Sequence, residues 1–299
     1  MGAELFEARP DLLVDAADAV LGWSLRDICL AGPEEELTRT EHAQPALFAL
    51  AYALWEEVAG RLTTRPAAAA GHSLGEYTAL AVAGVFDFAT ALRIVALRGR
   101  AMATAADAAP SAMAALIGAD SDLVEKISAG RRESGGKLWV ANLNAPGQVV
   151  VAGGVADIEW LQAEGRSLGV RRVVPLKVAG AFHSPFMASA QAELAVGLGR
   201  SATATPGFPV WSNVSAAPAR LEEIPDLLAR QVVAPVRFSE SLEGMADTGI
   251  HTFVHVGPGD VTAGMARRTV PDADILTIND LAGIDEAVNL LEGDPEDGP

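Results

Sequence analysis

The chain has 299 residues, half of them hydrophobic and a fifth charged, so it can bury a sizeable core; global disorder is excluded and one or two domains fit the length. With 22 basic and 39 acidic residues the net charge is −17, which argues against broad attraction to nucleic acid or to an anionic membrane. The only cysteine, Cys29, rules out an intrachain disulfide and a cysteine-based metal cluster; a reducing compartment is expected, with Cys29 buried rather than catalytic.

The opening MGAELFEARPDLL lacks the basic start and apolar run of a signal peptide, and Phe6 stands where a myristoylation signal wants Ser or Thr. No later uncharged stretch approaches the ~20 apolar residues of a membrane span, so a cytoplasmic protein is expected. The first third is Ala/Leu-rich, and Leu47, Leu50, Ala51, Leu54 and Trp55 form a helical stripe read as core. Pro66 to Ala70 reads as a strand, GHSLGEY as a tight turn, and Glu76 to Ala83 as a helix. Asp87 is placed to cap the next helix, whose stripe is Leu92, Val95, Ala96, Gly99, Met102 and Ala103; Arg98 falls on one margin of that stripe, where it can face a neighbouring element.

From about Ser111 to Lys177 the pattern becomes β-rich. Ala112 to Ile117 reads as a strand, Ser121 to Ser128 as a helix, Leu138 to Leu143 and Gln148 to Ala152 as strands, Asp157 to Ser167 as a helix and Val170 to Val178 as a last strand. This βαββαβ order predicts a ferredoxin-like subdomain over 111–177 inserted into a core formed by 1–110 and 178–285. Beyond it come a helix around Met187 to Leu198, a strand at Phe208 to Val214, a helix at Ile224 to Gln231 and a strand at Thr252 to Val256. Strands alternating with helices on both sides of the insertion predict a mainly parallel α/β sheet. Residues 286–299, ending EGDPEDGP, read as a disordered acidic tail.

Gly71-His72-Ser73-Leu74-Gly75 is a G-x-S-x-G pattern, in which glycines let a strand turn sharply into a helix and hold the serine at the apex. Taken alone the pattern also describes an ordinary loop; its place between an apolar strand and a helix favours a nucleophile, with helix N–H groups near a developing oxyanion. Of the five histidines, His42, His72, His183, His251 and His255, the best base is His183 in GAFHSP, just past a strand, although a loop histidine can equally be merely solvated. No carboxylate between Ser73 and His183 stands out as a third member; a backbone carbonyl can hold the imidazole tautomer instead.

GHSLGEY, ALRGRAM, NLNAPGQVVVAGG, GAFHSP, RQVVAPVRF and HVGPGD occur in this order. The chain thereby resembles the malonyl-CoA:acyl carrier protein transacylases and the acyltransferase domains of polyketide synthases, up to the acidic tail. The resemblance implies an α/β-hydrolase-like core with a ferredoxin-like insertion, and a ping-pong transfer of malonyl from the substrate malonyl-CoA to the phosphopantetheine thiol of an acyl carrier protein, with no cofactor or metal. It implies Ser73 as nucleophile and His183, 110 residues on, as base. Gln231 corresponds to the residue whose backbone carbonyl orients the histidine, Leu74 to an oxyanion-hole donor, and Asn144 to a position near the active site. Arg98, 25 residues past the serine, corresponds to the clamp for the malonyl carboxylate, whereas its pattern alone suits a surface salt bridge. Leu74 and Phe182 match the malonyl-selective type, with Phe182 filling the space of an α-methyl branch.

Family members begin with a strand and a Gly-Gln-Gly loop whose glutamine gives a second oxyanion donor; nothing of that kind precedes Met1, and a missing core strand and donor are expected. Arg131, Arg132, Arg171, Arg172 and Lys177 are candidates for docking an acidic carrier, or simply solubilise the surface. A serine hydrolase of thioesterase type, and a catalytically impaired carrier-binding module, are the competing functions.

Overall fold

The Ala- and Leu-rich opening third folds as helices in the computed structural model, which describes residues 2–292. They are α1 (Ala3–Ala8), a π-helical segment (Asp11–Ala16), α2 (Ala17–Leu21), α3 (Leu25–Leu30), α4 (Glu34–Thr38) and the long α5 (Thr40–Ala59). Cys29 is buried, and desolvation pushes its thiol up to about 11, which suits a core residue. Of the α5 stripe, Leu50 and Leu54 are core, but Leu47 is exposed. Next come β1 (Ala69–Ala70), α6 (Leu74–Val82) and α7 (Phe88–Ala108), which packs along α5. Asp87 caps α7, its Oδ1 accepting from Thr90 N at 2.6 Å.

The middle block contains β2 (Ser111–Ile117), α8 (Ser121–Glu133), β3 (Leu138–Ala145), β4 (Gln148–Gly154), α9 (Val155–Glu164) and β5 (Arg172–Pro175). These strands lie in the order β5-β2-β4-β3, each pair antiparallel, and α8 and α9 close a separate small core around Leu116, Val124, Leu138 and Leu161. The last strand is shorter than the sequence suggests, ending before Lys177.

The remaining elements are α10 (Ala188–Leu198), β6 (Val210–Trp211), α11 (Ile224–Gln231), β7 (Val236–Arg237), α12 (Phe238–Asp247), β8 (Thr252–Val256), α13 (Val261–Thr269), β9 (Asp274–Ile278) and α14 (Gly283–Glu292). β7 extends the middle sheet by pairing parallel to β3, so that sheet is mixed and reaches beyond the block that supplies its first four strands.

The expected mainly parallel core sheet is instead two short parallel pairs, β1 with β6 and β8 with β9. Between them lies an apolar cavity of about 510 Å³. Consecutive residues of both flanks, 67–71 and 252–256, line it; because alternate residues of a strand face opposite ways, such continuous lining means the cavity abuts the strand edges. β1 and β6 pair over two residues apiece, and β8 and β9 over five.

Residues 286–292, expected to begin a disordered tail, instead complete α14, where Ile284 and Ala287 are buried and Glu292 accepts from Thr63 and Thr64 N–H groups at 3.0 and 3.3 Å. The rest of that acidic segment, 293–299, lies outside the described residues. Among the described residues no helix is long and apolar enough to cross a membrane.

Candidate active site

Gly71, immediately after β1, has no room for a side chain: a Cβ there would fall 1.9 Å from the carbonyl carbon of Gly75. That close approach brings the next turn back on itself and leaves Ser73 with φ 52° and ψ −106°, a conformation L-residues rarely adopt. Gly75 has open space where its Cβ would stand, so the sharpness of the turn rests on Gly71 rather than on both glycines. Asn213, two residues past β6, braces the elbow: its Oδ1 accepts from Ser73 N at 2.7 Å and its Nδ2 donates to the Gly71 carbonyl at 2.7 Å. Ser73 is half-buried at the apex, and Leu74 opens α6, where first-turn N–H groups have no partner within the helix.

His183, with φ 58°, reaches Ser73 from the loop before α10; Ser73 Oγ and His183 Nε2 are 2.8 Å apart. On the other side of the ring, His183 Nδ1 lies 2.8 Å from the backbone carbonyl of Gln231. A carbonyl can only accept, so Nδ1 carries the proton and Nε2 is left to accept from the Ser73 hydroxyl. Burial, then the nearby Arg98 charge, lowers the His183 pKa to about 3, so the ring is neutral at physiological pH.

Arg98, on α7, is 1% exposed rather than part of a surface salt bridge. Its Nη2 donates to Ser73 Oγ at 2.9 Å and to Gln231 Oε1 at 3.0 Å, and its Nη1 donates to Gln44 Oε1 at 2.6 Å. The guanidinium also lies 5.3 Å from the Tyr77 ring centroid. All three of its acceptors are neutral, so the cation meets no carboxylate directly and stands ready for one brought by a ligand.

The structure thus brings together Ser73, His183, Gln231 and Arg98. Asn144 joins the periphery: its Oδ1 lies 2.8 Å from His72 Nε2, next to the nucleophile rather than on it. Phe182 is half-buried, one residue before His183. The other histidines lie elsewhere, His42 against Glu36 and Trp23, and His255 against Thr262 and Gly257. Gln44, Glu76 and Asn213 escaped the sequence reading, since nothing local marks a Gln 54 residues before Arg98 or an Asn after a two-residue strand. Of the candidate docking cations, Arg131 is paired with Asp157 at 2.7 Å and stacked on Trp160, and Arg132 is held by Glu125 and the Leu138 carbonyl. Arg171, Arg172 and Lys177 are exposed.

A family model described as "Acyl transferase domain" matches residues 1–285. The malonyl CoA-acyl carrier protein transacylase of Haemophilus influenzae is 39% identical over 281 residues, covering 92% of this chain and 88% of that protein. That of Bacillus subtilis is 36% identical over 295 residues, covering 98% and 93%. Among solved structures, the acyl-carrier-protein S-malonyltransferase of Bartonella henselae superposes with a TM-score of 0.92 at 34% identity, over 98% of this chain and 95% of that one. A malonyl-transacylase solved in complex with a type II PKS acyl-carrier protein superposes with a TM-score of 0.91 at 35% identity, over 96% and 94%.

Proposed function

The chain belongs to the acyl transferase domain family, and from that premise we propose that it moves a malonyl group from malonyl-CoA to the phosphopantetheine thiol of an acyl carrier protein. The observation that carries this reading is Ser73 Oγ held between a neutral imidazole nitrogen at 2.8 Å and a buried guanidinium at 2.9 Å. In the first half-reaction His183 Nε2 takes the Ser73 proton as Oγ attacks the thioester carbonyl. The tetrahedral oxyanion rests on the Leu74 N–H at the start of α6, the C–S bond breaks, and the imidazolium returns its proton to the CoA thiolate. The carrier's thiol then repeats the sequence on malonyl-Ser73, restoring the hydroxyl. The cycle invokes no resident cofactor or metal.

Arg98 supplies selectivity for a free carboxylate. A planar guanidinium binds carboxylate in two parallel hydrogen bonds, and in a buried setting the pairing is strong. Burial is the larger cause of the depressed His183 pKa and the Arg98 charge the next; when the malonyl carboxylate takes the guanidinium it neutralises that second contribution, so the base strengthens as the correct substrate arrives. Phe182 beside the base occupies the space of an α-methyl branch, which gives preference for malonyl over methylmalonyl. Arg171, Arg172 and Lys177 offer exposed positive charge to an acidic carrier.

The architecture suits this function as an α/β-hydrolase-like core (1–110 and 178–292, α14 included) carrying a ferredoxin-like subdomain (111–177). The β5-β2-β4-β3 order of antiparallel strands supports the second part of that reading, and the strand–elbow–helix turn at Ser73 supports the first.

Product partition tests the proposal. The protein is incubated with malonyl-CoA with and without a holo acyl carrier protein, and malonyl-carrier and free malonate are quantified. Malonyl-carrier formation that requires Ser73 is expected. Malonate release at the same rate with or without carrier would replace the transferase by a hydrolase, and carrier binding without any acyl transfer would mark a binding module.

A further inference from the structure

Beneath the elbow lies a buried acid that the mechanism above does not use. Glu76, in the first turn of α6, is 2% exposed. Its Oε2 accepts from Gln231 Nε2 at 2.6 Å and from the Asn213 backbone N–H at 3.1 Å. The same Gln231 side chain accepts from Arg98 Nη2 through its Oε1 at 3.0 Å. Gln231 is therefore a one-residue link between a buried carboxylate and a buried guanidinium.

The chemistry of the three groups leaves one arrangement. An ionised carboxylate only accepts hydrogen bonds, a guanidinium only donates them, and a primary amide does one at each end. The NH2 end donates to Glu76 at 2.6 Å, its shortest contact and its one charged acceptor, and also to the Ser73 carbonyl at 2.9 Å and Asn213 Oδ1 at 3.3 Å. The oxygen end must therefore face Arg98; turned over, the amide would set donor against donor on one side and acceptor against acceptor on the other. The link also places a compensating anion near Arg98 without occupying the guanidinium, which direct contact with a carboxylate would do.

Resting on the malonyl-transfer reading above, we propose that Glu76 is a positioning residue for substrate selection: through the polarity it imposes on the Gln231 amide, it holds the Arg98 guanidinium beside Ser73 and open to the substrate carboxylate. Glu76 touches neither substrate nor reacting atoms. The His183-orienting carbonyl belongs to the Gln231 backbone, but the Gln231 side chain also donates to the Ser73 carbonyl at 2.9 Å, so its removal touches the elbow as well as Arg98, whereas a change at Glu76 leaves that bond in place.

The test compares acylation of the full chain by malonyl-CoA and by acetyl-CoA, which lacks the free carboxylate, at pH 8. That pH lies above the Glu76 pKa, which burial raises to about 7 against the opposing hydrogen bonds and the Arg98 charge. Glu76→Gln keeps the shape but replaces an acceptor-only charge by a neutral amide that can turn either end to Gln231, so it weakens the imposed polarity. It is expected to raise KM for malonyl-CoA and to lower the malonyl-to-acetyl ratio of kcat/KM by about tenfold, the scale of one hydrogen bond to a charged group, with the acetyl rate nearly unchanged. Gln231→Leu, which keeps the backbone carbonyl, should lower the ratio by a similar factor, and the double variant should lose no more than either single.

Equal losses on both thioesters, losses that multiply in the double variant, or a Glu76→Gln protein with the parent ratio would overturn the proposal. Should Glu76→Gln fail to fold by thermal melting, Glu76→Asp, which keeps the charge but draws the carboxylate back from Gln231 by one methylene, decides: a selective malonyl loss supports the link and an equal loss on both thioesters overturns it. A parent chain that forms no malonyl adduct at all would overturn the functional reading and this inference with it, whereas a labelled parent with indifferent variants overturns the inference alone.

Discussion

Replacing Arg98 by alanine separates recognition of the free carboxylate from the acyl-transfer chemistry. The side chain is 1% exposed, so a carboxylate bound there is desolvated, and each hydrogen bond between charged partners contributes about 1.5–3 kcal/mol. Two parallel bonds in the bidentate geometry amount to about 3–6 kcal/mol, or a loss of roughly 10²–10⁴ in kcat/KM for malonyl-CoA. Truncation also leaves Gln44 Oε1 and Gln231 Oε1 without their donor, which lowers stability, while removing a buried cation offsets part of that. For this reason the comparison is made between thioesters within one variant, where any folding defect is common to both. Acetyl-CoA is expected to acylate Arg98→Ala at least as fast as the parent, because the Arg98 charge is the second largest cause of the lowered His183 pKa and its removal leaves a stronger base. Time-resolved intact mass of the acyl-enzyme reads both substrates. Malonyl and acetyl rates that fall by the same factor would refute the carboxylate clamp.

Three further outcomes follow from the same geometry. Gly71→Ala should cost about 3 kcal/mol or more in chemical denaturation, because its Cβ would collide with the Gly75 backbone, whereas Gly75→Ala, with open space around the Cβ, should stay within about 1 kcal/mol of the parent. Phe182→Ala should raise the methylmalonyl-to-malonyl ratio of kcat/KM by about 10–200-fold, the range expected for one methylene-sized contact, and an unchanged ratio would remove Phe182 from the specificity argument. Folded His183 titrates at about 3 against 6.5 when exposed, so the unfolded chain binds a proton that the folded chain refuses. Its contribution to stability is full above pH 6.5 and is lost as pH falls toward 3. Relative to His183→Gln, the parent should therefore lose about 3 kcal/mol between pH 6.5 and 4, measured by urea denaturation at each pH.

What the sequence disclosed, and what it withheld, divides along the range over which the causes act. The elbow, the Asp87 cap, α11 and β8 are set by residues within a turn or two of each other, and the last two end where the pattern says they should. The middle block was legible because alternation and turn residues mark each strand, and its strand order follows from that sequence of elements. β1 is shorter than Pro66 to Ala70 suggests because an alanine run carries no end signal, and β6 is shorter than Phe208 to Val214 suggests because Ser212 and Asn213 leave the strand and Asn213 turns to the elbow. Arg98 sits on a margin of an apolar stripe, which reads as a surface position until its neighbours are known. Burial becomes tolerable because Gln44, Gln231 and Ser73, from three other parts of the chain, supply its acceptors. Glu76 lay in plain view within GHSLGEY, but its use depends on Gln231, 155 residues away.

The most direct test of the account is a single-turnover exposure of the protein to malonyl-CoA, followed by digestion and mapping of the acylated peptide. The account predicts stoichiometric malonyl ester on Ser73, absent from Ser73→Ala, strongly slowed in His183→Ala, and discharged on adding a holo acyl carrier protein. A malonyl group found on another residue, or transfer to the carrier that proceeds undiminished in Ser73→Ala, would contradict it.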